Sequence, residues 1–198
     1  MDSVLVTGDN RGIGFEFTKQ FYDAGWRVFA CCRDPAAEHS RDLNMLAGWS
    51  GRYVTVHRLD VTKHDEVKAL AERLEPETID IVINNAGVNG PKQAFGDTDY
   101  ELWANAMATN VFGPMRMAEA FVEHVSRSKR KIIATVSSRL GSLALADADG
   151  RHHYRSSKTA ANMVMKNLAG YVADRGITTI SFSPGWVKTE MGGVGATV

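Results

Sequence analysis

Short apolar runs rich in Val and Ile alternate along the chain with longer segments in which apolar residues recur at helical spacing. Strand-length runs occur at residues 3–7, 27–32, 53–59, 79–83, 131–137 and 177–182. Helical patterns lie near residues 12–24, 36–47, 64–74, 98–126 and 153–174. This alternation is typical of a parallel sheet with helices on both faces. The sequence therefore predicts a single doubly wound α/β domain over residues 1–198.

Composition and charge exclude several classes of partner. Hydrophobic residues make up 44% of the 198 residues, and 23 basic side chains balance 23 acidic ones. The densest basic run, 129–131, is short, so we expect neither nucleic acid nor a membrane as a partner. No apolar stretch approaches the ~18 residues of a spanning helix. Cys31 and Cys32 are adjacent and fit no metal or disulfide spacing, so we predict no metal site and a cytoplasmic location.

A glycine-rich segment, TGDNRGIG at residues 7–14, follows the first predicted strand and precedes an amphipathic helix. Glycines permit a tight turn and a close approach of the backbone to a pyrophosphate, whose charge then meets the positive end of the helix. A surface turn is the alternative interpretation. The strand before it, the helix after it and the second strand beyond favour a dinucleotide-binding turn.

The GxxxGxG spacing of residues 8–14 resembles the short-chain dehydrogenase/reductase family. Further motifs of that family recur in order: NNAG at 84–87, Asn110, the serine pair 137–138, YxxxK at 154–158 and PGxVxT at 184–189. The NRG turn, the CCRDP segment at 31–35 and the spacing of 16 residues between Ser138 and Tyr154 resemble the carbonyl-reductase-like branch, with the C-factor and sniffer proteins. The resemblance covers nearly the whole chain and implies a Rossmann fold.

The cofactor is indicated by the residues that end the second strand. In dinucleotide folds an acidic residue there binds the ribose 2′-hydroxyl, whereas an Arg accommodates a 2′-phosphate. By resemblance the acidic position falls on Cys32, and Arg33 and Arg11 match the cations of NADP-dependent relatives, so NADPH is the predicted cofactor. Asp34 is the rival ribose ligand, but because Pro35 follows it we interpret Asp34 as the N-cap of the second helix.

Other contacts with NADPH are implied by the resemblance. Asp60 and Val61 would hold the adenine, and the backbone of residues 85–87 would lie along the adjoining ribose. An N-cap role for Asp60 is a compatible alternative, because residues 62–64 open a helix. The predicted cofactor-binding residues are Gly8, Asn10, Arg11, Gly12, Ile13, Gly14, Arg33, Asp60, Val61, Asn85, Ala86, Gly87, Tyr154, Lys158, Pro184, Gly185, Val187 and Thr189.

The candidate catalytic pair is Tyr154 and Lys158, which lie one turn apart on the same face of a helix. A nearby ammonium group lowers the pKa of a phenol from its usual ~10, so Tyr154 is the predicted general acid. By resemblance, Ser138 stabilises the developing charge, Lys158 also binds the nicotinamide ribose, and Asn110 binds a water of a proton relay. Ser137 is the competing serine, and a kink of the long helix is a compatible role for Asn110.

The resemblance implies NADPH-dependent reduction of an aldehyde, ketone or quinone to an alcohol. The chain stops nine residues after Thr189, whereas family members continue. We therefore expect the C-terminal substrate-binding region to be short or missing and the carbonyl substrate to be weakly selected. A small-molecule carbonyl compound is the expected partner, and a homodimer is left open.

Three alternatives belong to other functional classes. The first is an NADP(H)-binding homologue that acts as a signalling or interaction protein with little turnover. The second is a hydrolase that uses Ser138 with His152 or His153, but the G-x-S-x-G elbow that presents such a serine is missing from the sequence. The third, a nucleotide-sugar epimerase, shares YxxxK but predicts a much longer chain without NNAG.

Overall fold

A computed structural model of the chain describes residues 1–197 and contains a sheet of six parallel strands. The strands are β1 (Ser3–Thr7), β2 (Arg27–Cys32), β3 (Val54–Arg58), β4 (Ile81–Asn84), β5 (Ile132–Val136) and β6 (Thr178–Phe182). All six predicted strands are confirmed, each within two residues of its predicted bounds. Val198, the last residue of the predicted domain, lies outside the described residues.

The strand order β3-β2-β1-β4-β5-β6 places the first strand beside the fourth in the middle of the sheet. Parallel pairing runs through the whole sheet, with Val4 of β1 opposite Val28 of β2 and Ile81 of β4. The strand order reverses its direction between β1 and β4, and such a switch point opens a crevice at the carboxyl ends of the strands. The predicted doubly wound Rossmann fold is therefore confirmed.

Helices cover both faces of the sheet. They are α1 (Gly12–Asp23), α2 (Arg41–Trp49), α3 (His64–Arg73), α4 (Tyr100–Met107), α5 (Gly113–Ser126) and α6 (His152–Tyr171). On one face, Phe121 of α5 and Leu168 of α6 share an apolar core with Leu5 of β1. On the other face, Leu43 of α2 packs with Val4 of β1. Among residues 1–197, no helix is long and apolar enough to cross a membrane.

Two predicted helices differ from the structure. The predicted helix 36–47 begins with a 3-10 turn, Glu38–Ser40, and becomes α-helical only at Arg41. Asp34 is therefore not the N-cap of α2, and that interpretation was wrong. Its Oδ1 atom instead accepts a hydrogen bond of 3.0 Å from the Ala36 amide, which closes a local turn. The predicted helix 98–126 is divided into α4 and α5 by a π-helical turn, Ala108–Phe112.

Candidate functional site

A cavity of about 1000 Å³ opens at the carboxyl ends of the central strands. All of the predicted cofactor-binding residues line it, and Ser138 lines it as well. Asn110 is the one predicted site residue that is not part of this lining, because it is buried behind the cavity wall. The fold thus brings the glycine turn, the end of β2 and the N-terminal part of α6 to a common space.

The glycine positions of the turn after β1 do not accommodate side chains. Gly8 and Gly12 adopt φ angles of 74° and 56°, in the left-handed region that favours glycine. A Cβ atom at Gly14 would lie 2.3 Å from the Gly8 carbonyl oxygen. The N-cap of α1, Arg11, forms no side-chain cap, which leaves amide groups of the first helical turn for another acceptor. This geometry suits a phosphate group at the helix N-terminus.

Asn85 fixes the glycine turn against the loop that follows β4. Its Nδ2 atom donates to the carbonyl oxygens of Thr7 at 2.8 Å and Gly8 at 3.1 Å. In return, Thr7 Oγ1 accepts hydrogen bonds from the Asn85 amide at 3.1 Å and the Ala86 amide at 3.0 Å. These contacts show that the Asn85 side chain positions the glycine turn. The sequence analysis predicted a role only for the backbone of residues 85–87.

Asp9 is a buried residue of the glycine turn that sequence reasoning passed over. Its Oδ2 atom accepts a hydrogen bond of 2.9 Å from Thr18 Oγ1 in α1. Burial raises the pKa of this carboxyl group well above its usual value, because the ionised form would lose its hydration. A buried carboxyl group that resists ionisation therefore lies under the turn.

Arg33 and Asp60 lie at the end of the cavity formed by β2 and β3. Burial opposes ionisation of Asp60, but hydrogen bonds from Thr62 and the charge of Arg33 lower its pKa overall. Asp60 Oδ1 accepts from the Thr62 amide at 2.9 Å and the Thr62 hydroxyl at 2.7 Å. The alternative of an N-cap for Asp60 is wrong, because α3 begins at His64 and its N-cap is Lys63.

The charges around the cavity are strongly unequal, although the chain as a whole has no net charge. The two carboxylates of its lining are Asp60 and Glu190. Its cationic lining residues are Arg11, Arg33, Arg139, Arg151, Lys158 and Lys188. A large cavity with a glycine cradle and excess positive charge fits a phosphorylated dinucleotide.

Tyr154 and Lys158 lie on α6 as predicted, but their electrostatics differ from the prediction. Lys158 Nζ donates a hydrogen bond of 2.8 Å to the Val136 carbonyl oxygen and lies 5.7 Å from the centre of the Tyr154 ring. Burial lowers the pKa of Lys158 to about 8. Burial also raises the pKa of Tyr154, while Ser138 and Arg151 act in the opposite direction. The Lys158 ammonium group is thus bonded to a backbone carbonyl, and burial is the main influence on the pKa of Tyr154, which lies above the usual value of a phenol.

The hydroxyl groups of Ser137 and Ser138, at the end of β5, have different hydrogen-bond partners. Ser137 Oγ donates a hydrogen bond of 2.6 Å to Asn162 Oδ1 of α6. Ser138 Oγ accepts from the Leu140 amide at 3.1 Å, and this hydroxyl is close enough to Tyr154 to lower its pKa. The structure therefore gives Ser138, rather than Ser137, a hydroxyl group beside the candidate proton donor.

Asn110 occupies the π-helical turn between α4 and α5. Its Oδ1 atom accepts from the Val88 amide at 2.8 Å, and its Nδ2 atom donates to the Val88 carbonyl at 2.9 Å and to Ser157 Oγ at 2.9 Å. The interruption of the long helix at Asn110 agrees with the kink suggested from the sequence, and the backbone groups that its side chain binds are those of Val88 in the loop after β4. A Cβ atom at Gly87 would lie 3.3 Å from Asn110 Oδ1 and 3.6 Å from Lys158 Nζ, so these two side chains approach the same glycine.

An ion-pair cluster shapes the loop before α6, and no sequence motif predicted it. Asp149 accepts hydrogen bonds from Arg151 Nε at 2.8 Å and Nη2 at 2.5 Å, and from Arg155 Nε at 3.0 Å. Arg155 also pairs with Asp147. Burial opposes the charge of Asp149, but the two arginines lower its pKa overall. The sequence feature that could have pointed to this cluster is the position of Arg151, three residues before Tyr154.

Comparisons with known proteins agree with this architecture. A family model described as short chain dehydrogenase matches residues 2–195. The C-signal protein of Myxococcus xanthus is 37% identical over 132 residues, which cover 67% of this chain and 80% of that protein. The 1-hydroxy-2-glutathionyl-2-methyl-3-butene dehydrogenase of Rhodococcus sp. strain AD45 is 33% identical over 194 residues, which cover 96% of this chain and 80% of that enzyme.

Two of the solved structures that resemble this chain are carbonyl reductases. The NADPH-bound carbonyl reductase from chicken fatty liver superposes with a TM-score of 0.90 at 31% identity, covering 98% of this chain and 83% of that one. The carbonyl reductase Sniffer of D. melanogaster superposes with a TM-score of 0.93 at 27% identity, covering 100% of this chain and 86% of that one. The resemblance inferred from the motifs is thereby confirmed.

Proposed function

Since this chain belongs to the short-chain dehydrogenase family, we propose that it is an NADPH-dependent reductase that converts the carbonyl group of an aldehyde, ketone or quinone to an alcohol. The observation that carries this proposal is the shared cavity, in which Ser138, Tyr154 and Lys158 face the same space as the glycine turn. The carbonyl reductases among the solved relatives support it. In this proposal residues 1–198 act as one dinucleotide-binding domain.

The cofactor assignment follows from the charged and glycine-rich lining. Residues 8–14 offer backbone amide groups to a pyrophosphate, and Arg33 and Arg11 supply cations for a 2′-phosphate. We assign Asp60 and Val61 to the adenine end, and residues 85–87 and 184–189 to the remainder of the dinucleotide. Bound NADPH would supply a hydride to the carbonyl carbon of the substrate.

The residues of the chain handle the proton and the developing charge. Because burial keeps the pKa of Tyr154 high, its hydroxyl group holds a proton that it can donate to the carbonyl oxygen. The Ser138 hydroxyl donates a hydrogen bond to the same oxygen as negative charge builds up there. Lys158, with a pKa of about 8, exchanges protons near neutral pH. We assign Lys158, with Asn110 beside it, to returning the proton to Tyr154.

Replacing Tyr154 with Phe tests the assignment of the proton donor. Tyr154→Phe keeps the ring but removes the hydroxyl, so oxidation of NADPH against a panel of carbonyl compounds should fall by about 100-fold or more. The affinity for NADPH should change little. Tyr171→Phe is the matched control, because Tyr171 lies on the same helix with 79% of its surface exposed. Near-normal turnover by Tyr154→Phe would overturn the proposed mechanism.

A signalling or interaction role is the second candidate, and the identity of 37% to the C-signal protein is the observation that favours it. That role predicts NADPH binding without turnover of any carbonyl compound in the panel. Turnover that depends on the Tyr154 hydroxyl would instead favour the reductase. Formation of a homodimer and a cytoplasmic location stay predictions from the sequence.

A further inference from the structure

The loop that joins Ser138 to Tyr154 carries an arginine close to each end. Arg139 directly follows Ser138, and Arg151 precedes Tyr154 by three residues. Both arginines line the cavity that contains the two hydroxyl groups. A ligand whose carbonyl oxygen lies between Ser138 and Tyr154 would therefore share its cavity with two arginines that flank these residues in the chain.

Arg151 is held in place by the ion-pair cluster of the loop. Asp149 accepts hydrogen bonds from its Nε and Nη2 atoms and, at 3.1 Å, from its backbone amide. No acceptor within residues 1–197 binds its Nη1 atom. The side chain is 30% exposed, so it is partly withdrawn from solvent but remains accessible from the cavity. A guanidinium group fixed in this way loses little conformational entropy when it binds a carboxylate.

The carboxylates near the cavity leave positive charge unbalanced at this end. Asp149 and Asp147 together offset Arg151 and Arg155. Glu190 pairs with Arg11, at 3.4 Å, on the side assigned to the cofactor phosphates. Arg139 forms no ion pair with any carboxylate of the described chain. Lys188 adds a further cation to the lining.

The charge of Arg151 also affects the pKa of Tyr154, the candidate proton donor. Its electrostatic effect lowers the pKa of Tyr154, in opposition to the effect of burial. Arg151 is the N-cap of α6, and Tyr154 lies in the first turn of the same helix, so both side chains enter the cavity from the same helix end. An anionic group bound by Arg151 would belong to the substrate, because Arg151 lies at the start of α6 with Tyr154, whereas the residues assigned to the cofactor phosphates lie in the glycine turn and at the end of β2.

We infer that the site prefers carbonyl substrates that carry a carboxylate, which Arg151 and Arg139 bind beside Ser138 and Tyr154. The inference rests on the proposed reductase function and names the substrate class for that site. Guanidinium groups bind carboxylates through paired, charge-assisted hydrogen bonds, which gives both affinity and orientation. Arg151 and Arg139 are thus specificity-determining residues, distinct from the groups that move the proton.

A matched pair of aldehydes tests this preference. 4-Formylbenzoate and its methyl ester present the same aldehyde with and without a negative charge. For the wild-type protein, kcat/KM with NADPH should be at least tenfold higher for the acid, and the ratio of the two values should fall as salt is added. Arg151→Gln should reduce this ratio about tenfold, and Arg151→Lys should restore part of it. Arg41→Gln, a change at an exposed position outside the cavity, should leave the ratio unchanged.

Arg139→Gln provides a second variant, because its side chain is outside the ion-pair cluster and the change leaves the loop intact. It should also lower the ratio of acid to ester. Equal kcat/KM values for the acid and the ester in the wild-type protein would overturn the inference while leaving the reductase function in place.

Failure of the reductase function itself is recognised separately. If the wild-type protein reduces neither aldehyde, calorimetric binding of 4-(hydroxymethyl)benzoate and its methyl ester to the protein with NADP⁺ still decides the anion preference. Tighter binding of the acid that is lost in Arg151→Gln would support the carboxylate site. Equal binding of the acid and the ester would overturn it.

Discussion

The two ends of the cavity are built in different ways. At the phosphate end, backbone atoms determine the geometry: Gly8 and Gly14 pack against each other without space for a side chain, and Asn85 binds the turn directly. At the catalytic end, side chains from distant parts of the sequence meet, and the loop between Ser138 and Tyr154 is shaped by ion pairs around Asp149. The first end is built mainly from the backbone of one continuous turn, which Asn85 fixes from the loop after β4, and the second is built from side chains of several distant segments.

This difference predicts different responses to substitution. A change in the phosphate turn disturbs a dense backbone arrangement, so stability and cofactor binding should fall together. A change of a proposed catalytic side chain removes a functional group that the fold does not need, so turnover should fall while the free energy of unfolding changes little. Substitutions at the two ends can therefore test this difference, and the largest effect is expected at Ser138, the proposed catalytic serine.

The serine pair provides the sharpest test at the catalytic end. Ser138→Ala should lower kcat by about 100-fold or more, because one hydrogen-bond donor to the developing oxyanion is lost. Its free energy of unfolding should change little. Ser137→Ala removes the bond to Asn162 and should cost about 1 kcal/mol of stability without a comparable loss of turnover. Steady-state kinetics and urea denaturation of both variants check this, and reversed results would assign the role to Ser137.

Gly14 provides the corresponding test at the phosphate end. A Cβ atom there would lie 2.3 Å from the Gly8 carbonyl oxygen and 2.5 Å from Asn85 Nδ2. Gly14→Ala should therefore lower the free energy of unfolding by about 3 kcal/mol and weaken NADPH binding. Gly48→Ala is the control, because Gly48 lies in α2 and a Cβ atom added there would meet nothing within 4 Å, so this change should be slightly stabilising. Normal NADPH affinity in Gly14→Ala would contradict the statement that close backbone packing determines the geometry of the phosphate end.

Replacing Lys158 should raise the free energy of unfolding at neutral pH and lower turnover. Burial lowers its pKa from the usual 10.5 to about 8, so the folded chain holds this proton less tightly than the unfolded chain. The resulting cost to stability, about 3 kcal/mol, is full below pH 8, shrinks as pH rises from 8 to 10.5, and vanishes above that. Lys158→Met also loses the bond to the Val136 carbonyl, which offsets about 1 kcal/mol of the gain.

The net expectation at pH 7 is therefore that Lys158→Met raises the free energy of unfolding by about 2 kcal/mol while turnover falls. The gain should disappear as the pH approaches 10.5. Urea denaturation across this pH range measures it. A constant gain at every pH would mean that the ammonium group of Lys158 is not the source of the cost.

Substitution of Arg33 should have the smallest of these effects. It should change only the binding of a cofactor that carries the 2′-phosphate. Arg33→Asp should weaken NADPH binding about tenfold, equivalent to about 1.4 kcal/mol, and leave NADH binding nearly unchanged. Arg41→Asp makes the same charge change outside the cavity and should alter neither affinity. Titration with both cofactors decides this, and equal losses for NADPH and NADH would show that Arg33 does not select the 2′-phosphate.

Some site features could be predicted from the sequence because they are local. The turn of residues 8–14 is continuous in sequence, and its glycines report a backbone requirement directly. The Tyr154–Lys158 spacing fixes their shared face on any helix. The effect of Lys158 on the Tyr154 pKa was not predictable in this way, because it depends on whether Nζ points to the phenol or to the Val136 carbonyl. Asp34 shows a smaller error of the same kind, in which a turn replaced the expected helix cap.

The alternation of strands and helices, the glycine-rich turn, the family resemblance and the candidate catalytic side chains can all be inferred from the sequence alone. These follow from hydrophobic periodicity and from short motifs, whose meaning is set within a few residues. The folded chain was needed to show which serine lies beside Tyr154, how Asn110 bonds to the loop after β4, and that Arg151 lines the cavity. These depend on burial and on contacts between segments far apart in the chain, which determine both the position of a group and the free energy of its charge.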